Sequence, residues 1–206
     1  MPYLGNQHIV GDSVRNFKVL DDISSHTATF DGSSASVVST SDNTIRIINH
    51  RFVQGQRVVY SNGGGGNING LTANAYYIIK DSPHTFKLAA NESDAASLTP
   101  INLTSVGTGS SHTLRVSFDG VNKKFKATHS SGNKTHIHHA TQLSVSINNV
   151  PQRPNDNLTF TEGFAVENKS IIVFKQAPIP TDIFFGSAFG ETLGTFDISD
   201  LSLIHI

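Results

Sequence analysis

Between Gln142 and Gly186 the chain reads QLSVSINNVPQRP, NLTFTEGFAVENKSIIVFKQAP and TDIFFG, and nowhere offers a helical period. Leu143, Val145 and Ile147 fall on one side of an extended chain, with Ser144 and Ser146 on the other. That period of two marks a half-buried strand. Asn148-Asn149 follows, two residues that tolerate the positive φ of a two-residue primed hairpin turn. Pro151 and Pro154 lack the N–H a ladder needs, so the returning strand is expected to be short or to lie at a sheet edge. Leu158 and Phe160 alternate again, and Phe164–Val166 and Ile171–Val173 flank a polar turn at Glu167–Ser170. This region is expected to be β throughout.

The rest of the chain carries the same signals. Strands are expected at Phe17–Leu20, Thr44–Ile48, Arg57–Tyr60, Ala75–Lys80, Thr85–Leu88 and Thr113–Phe118, from alternation and β-branched or aromatic content. Turns rich in Gly, Asn, Asp and Pro separate them. Asn91–Ala96 has room for one helical turn and no more. The expected fold class is therefore all-β: two small antiparallel β-sandwich or barrel-like modules in tandem, behind an extended N-terminal arm. The expected divisions are 1–28 for the arm, 29–117 for the first module and 118–200 for the second. Phe118-Asp119-Gly120 echoes Phe30-Asp31-Gly32, as two module starts would, although one module with an insertion fits the same echo.

Composition removes several function classes. With 13 Phe and 37% hydrophobic residues in 206, the chain has the means to build a core. A net charge of −1 gives no electrostatic reason to expect nucleic acid or an anionic membrane as partner. Cysteine is absent, which excludes disulfides, thiolate metal sites and thiol nucleophiles. The chain opens with no signal-peptide pattern, and no apolar run approaches the span of a bilayer, so membrane insertion is not expected.

The pattern L-x-V-S-h-N-x-V-x-Q-x-P, then I-x-F-x-x-A-P, then D-x-F-F-G, where h is apolar, resembles a β module of tail-fibre and other virion proteins of marine bacteriophages, especially cyanophages. Here it is carried by Leu143, Val145, Ser146, Asn148, Val150, Gln152, Pro154, Ile172, Phe174, Ala177, Pro178, Asp182, Phe184, Phe185 and Gly186. Met1-Pro2-Tyr3-Leu4-Gly5, followed by Phe17-Lys18-Val19-Leu20-Asp21, is similar to the start of such fibre proteins. His50–Val116 is similar to a repeat of phage tail and bacterial surface proteins. Asn149 stands where family members usually carry Gly. The resemblance implies a structural virion protein, made in the host cytoplasm and assembled into the tail. It implies a homo-oligomer, a trimer by analogy, with other tail proteins and host surface glycans as partners. Leu201–Ile206 looks like a translated transposon end from a sequencing library, and is expected to be an artefact rather than part of the fold.

Few constellations carry chemistry. In Thr135-His136-Ile137-His138-His139, His136 and His138 project to one face of an extended chain, so both imidazoles can reach one metal ion. Some trimeric fibre tips resemble this, holding an axial ion with a His-x-His from each chain, and the resemblance implies His136 and His138 as metal ligands. A solvated loop explains the same residues, since Ser130-Ser131-Gly132-Asn133 precedes them. The four glycines Gly63–Gly66 lack the Lys-Ser/Thr and helix of a phosphate loop, and are expected to form a flexible hairpin tip. The 16 acidic residues scatter through turns, where Asx-turn geometry accounts for them, and no carboxylate pair or G-x-S-x-G elbow stands out. Neither a catalytic residue nor a cofactor is expected. Phe184, Phe185 and Phe189 could stack on sugar rings, but core closure is the expected role of that last strand. A carbohydrate depolymerase and a bacterial surface adhesin are the alternatives. The first would need acidic residues along one groove, and the second a secretion signal or Asp-rich calcium repeats.

Overall fold

A computed structural model describes residues 18–189, and it is nearly all β. Seven strands form the largest sheet, in the order Ser25–Phe30, His112–Ser117, Arg57–Ser61, Ala75–Lys80, Thr85–Ala89, Thr44–Arg46, Val38–Ser39, each pair antiparallel. Each strand alternates buried and exposed positions, as in His112–Ser117, where His112, Leu114 and Val116 face the core. A four-stranded sheet follows the order Lys18–Val19, Phe184–Ala188, Leu143–Ile147, Val150–Pro151. Another runs Pro154–Asn155, Phe164–Glu167, Ile171–Phe174, Lys124–Lys126, and Thr128–His129 pairs with Asn133–Lys134 in a small ribbon. The one α-helix among the described residues is Glu92–Ala96, capped by the Asn91 carboxamide, which accepts from the Asp94 N–H at 2.8 Å.

Of the segment expected to be an arm, Lys18–Val19 pairs with Ser187-Ala188, and Ser25–Phe30 pairs along its whole length with His112–Ser117. Its Met1–Gly5 opening lies outside the described residues, as do Gly190 and Leu201–Ile206. Most buried side chains form one cluster on both sides of Ser117, running from Leu20 to Ala188, while Ile79, Ala89 and Ala95 form a small second one under the helix. In it, Phe52 meets Phe86 edge-on, and Phe118, Phe125 and Phe174 pack edge to face. Polar bonds cross the same line. The Gln56 carboxamide donates to the Lys124 carbonyl at 2.8 Å, the Asn122 carboxamide to the Arg57 carbonyl at 3.1 Å, and Arg57 pairs with Asp119.

The opening hairpin forms as its residues dictate. Ile147 pairs with Val150, and Asn148 and Asn149 have φ of 52° and 64°. Asn148 is further held at both ends of its side chain, accepting from the Ile183 N–H at 2.9 Å and donating to Asp182 at 2.8 Å. Asn149→Gly is therefore expected to be neutral or stabilising by about 0.5 kcal/mol, because glycine enters that φ without strain. Urea denaturation checks it, and a loss above about 1 kcal/mol would contradict the turn geometry. Both prolines sit in two-residue edge strands of different sheets, so the chain changes sheets between Pro151 and Pro154.

Two expectations fail. Leu158 and Phe160 belong to no strand. The Asn155 carboxamide donates to the carbonyls of Arg153, Glu162 and Phe164, closing the segment between them into a loop that leaves Leu158 exposed. The four glycines are not a flexible tip either. Gly66 exchanges backbone bonds with Thr108, and a Cβ on Gly65 would lie 1.8 Å from the Thr108 carbonyl oxygen. Close backbone approach, not mobility, requires glycine there.

Candidate anion-binding cleft

A cleft of about 820 Å³ opens beside the seven-stranded sheet, between the loop around Asn49–Arg51 and the ribbon turn at Ser130–Gly132. Arg51, Lys80, Lys126 and Lys134 line it, together with His26 and His50, and its lining includes no Asp or Glu. Thr29, Asn49, Ser131, Asn133 and Ser170 add hydroxyl and amide groups, while Ile48 and Pro83 add apolar surface. Three elements supply the lysines. Lys80 ends the strand Ala75–Lys80, Lys126 ends Lys124–Lys126 opposite Ile171, and Lys134 ends the ribbon. Among the described residues, no carboxylate forms an ion pair with any of the three lysines.

The two facing loops hold unusual backbone. Asn49 and Arg51 have φ of 54° and 58°, and Ser130 and Ser131 have φ of 47° and 61°. Residues other than glycine enter this region at a cost, here set by the turns that the chain makes, Ser130-Ser131 closing the ribbon between His129 and Asn133. Arg51 clamps the loops together, donating from Nη2 to the Ser131 carbonyl at 2.8 Å. Its guanidinium lies over Gly132 so closely that a Cβ there would come within 1.9 Å of Nη2. Asp21 braces the far side, accepting from the N–H groups of Ser131 and Gly132 and from the Thr128 hydroxyl. These bonds and the nearby Arg51 outweigh the desolvation that opposes them, and hold its carboxyl below the usual range.

Crowded cations also act on one another. Lys126 is pushed below the ordinary lysine range, first by burial and then by the charges of Lys80 and Lys134. Its ammonium donates to the Ser170 hydroxyl. Burial likewise lowers both histidines below the ordinary value of 6.5. Arg51 adds to the effect at His26, and Lys80 and His84 add at His50, where a bond to the Ser82 carbonyl opposes it. The Nε2 of His26 is buried without a hydrogen-bond partner among the described residues. A depressed histidine pKa means that the unfolded chain binds protons first. The stability these neutral rings confer is thus complete above pH 6.5 and is lost as pH falls through their folded values. The melting temperature is expected to fall by several degrees between about pH 7 and pH 5, and His26→Gln with His50→Gln to flatten that slope. A flat profile in the parent would contradict it.

The expected metal ligands lie elsewhere. His136 and His138 are both exposed, on either side of the buried Ile137, in a segment that belongs to no strand. No group of three or more His, Cys, Asp or Glu able to hold a metal occurs among the described residues. Of the three phenylalanines expected to close the core, Phe184 is buried, whereas Phe185 and Phe189 are about half exposed. The turn aspartates cap their own turns: Asp22 accepts from the Ser24 N–H, Asp31 from Ser33, and Asp119 from Val121 and Asn122.

Sequence reasoning missed the cleft. Its cations are spread between positions 51 and 134 within a chain of net charge −1, so no local run announced them. Comparison with family models, curated proteins and solved structures returns no match. Among the described residues, no helix is long and apolar enough to cross a membrane.

Proposed function

We propose that this chain is a structural component of a phage virion, part of a tail fibre or related tail protein that supports attachment to the host. The observation that carries the reading is what its motif residues do. Leu143, Val145, Ile172, Phe174 and Phe184 are core, and Asn148 and Asp182 knit a hairpin to the strand beside it. A Cβ on Gly186 would collide with Phe184 and Leu20. The motif therefore builds a rigid corner and lies outside the cationic cleft, as suits an architectural role. Val150, Ile183 and Phe185, all more than half exposed around that corner, offer apolar surface for burial between chains, which supports a homo-oligomer. In a trimer each weak contact with the host is multiplied by valency.

Mass spectrometry of purified particles tests this directly, with peptides of this chain expected among the tail proteins. Light scattering of the isolated chain is expected to give a trimer. Particles that consistently lack these peptides would reject the proposal.

A further inference from the structure

The cationic cleft calls for a ligand, because no carboxylate lines it and none of its three lysines forms an ion pair among the described residues. Like charges held together destabilise a fold, and an architectural module has no need of them. We propose that this cleft is a binding site for an acidic oligosaccharide, whose carboxylate or sulfate groups seat among Lys80, Lys126, Lys134 and Arg51 while its hydroxyls meet Thr29, Asn49, Asn133 and Ser170. The site deepens the attachment role proposed above and rests on that reading for its biological setting only.

Three observations select this chemistry. The cleft lies in the size range of small-molecule sites, well beyond a single inorganic anion, and its cations come from several elements rather than one point. The polar lining is rich in short hydroxyl and amide side chains, suited to a hydroxyl-bearing scaffold. Nucleic acid fits less well. Single strands are held by stacking bases on exposed aromatic faces, and the one Phe, Tyr or Trp in the lining, Phe52, is only 1% exposed. Of the acidic groups beside the site, Asp21 is occupied by the ribbon turn, Asp22 lines a small adjoining cavity beyond His26 and Arg51, and Asp81, next to Lys80, accepts from the Thr85 hydroxyl.

Calorimetric titration of the intact chain decides the matter, using trigalacturonate, a sulfated heparin disaccharide, neutral cellotriose, inorganic sulfate and an oligothymidylate. Binding of at least one acidic sugar is expected, weakening with added salt as screening requires. Lys80→Glu with Lys134→Glu is expected to reduce that affinity by tenfold or more, each charge contributing to a complementary field. Both lysines are exposed, so melting temperature should barely move. Lys87→Glu, on a strand but outside the cleft lining, should leave affinity unchanged. Three results would overturn the proposal: equal binding of cellotriose, tighter binding of oligothymidylate or of sulfate alone, or an affinity indifferent to the charge reversal. The absence of any binding by the sugars would do so too. None of these bears on whether the chain is present in virions, so the two readings fail separately.

Discussion

His112→Ala is expected to lower the unfolding free energy by about 3–5 kcal/mol, the scale of a large buried side chain lost together with its hydrogen bonds. His112 is wholly buried and lies between Tyr60 and Thr108. Because the Thr108 carbonyl can only accept, the Nε2 of His112 carries the proton and donates to it at 3.0 Å. The Nδ1 of a neutral ring is then an acceptor, and the Tyr60 hydroxyl donates to it at 2.7 Å while accepting from the Ile68 N–H at 3.2 Å. Every polar atom of the chain of bonds is satisfied, so deleting its middle member strands the Tyr60 hydroxyl donor in the core, while the Thr108 carbonyl keeps the Gly66 N–H. Gly32 and Gly107 press on the imidazole, where added Cβ atoms would lie 2.4 and 2.8 Å from its carbons, so little room exists for repacking. Urea denaturation measures the effect. A loss below about 1 kcal/mol would mean that the network contributes little.

Phe125→Ala is expected to cost about 3–5 kcal/mol and to shift a single unfolding transition as a whole. The Phe125 ring lies 4.8 Å from that of Phe118 and 6.0 Å from that of Phe174, inside the one cluster that crosses Ser117. The probes are available in the chain itself. Three of the four tyrosines, Tyr60, Tyr76 and Tyr77, lie in the seven-stranded sheet, so in a Tyr3→Phe background tyrosine fluorescence reports that sheet while far-ultraviolet circular dichroism reports every strand. The two signals should move together in the parent and in the variant. A tyrosine transition that stayed in place while the dichroism shifted would show two modules that unfold independently.

Period-two alternation was enough to place Arg57–Ser61, Ala75–Lys80, Thr85–Ala89 and Leu143–Ile147, because each buries one face more than the other, while Ile171–Phe174 showed as a short apolar run and is buried on both faces. Ser25–Phe30 escaped notice: SHTATF has a single large apolar residue, and only its six-residue pairing with His112–Ser117 makes it a strand. Leu158 and Phe160 misled in the opposite direction, having the period but no partner strand. A strand is a relation between two segments, and one segment's alternation supplies only half of it.

The residues alone decided what is local: the all-β class, the Asn148-Asn149 turn, the one-turn helix capped by Asn91, and the edge positions of Pro151 and Pro154. Each follows from φ preferences and hydrogen-bonding capacity within a few neighbouring positions. Tertiary structure alone decided that Arg51, Lys80, Lys126 and Lys134 share one cleft and that His112 completes a buried network with Tyr60. Those groups stand up to 83 positions apart in the chain, between Arg51 and Lys134. Charge and hydrogen bonding act across a few ångströms of space, and no pattern along the chain encodes which distant side chains folding will bring that close.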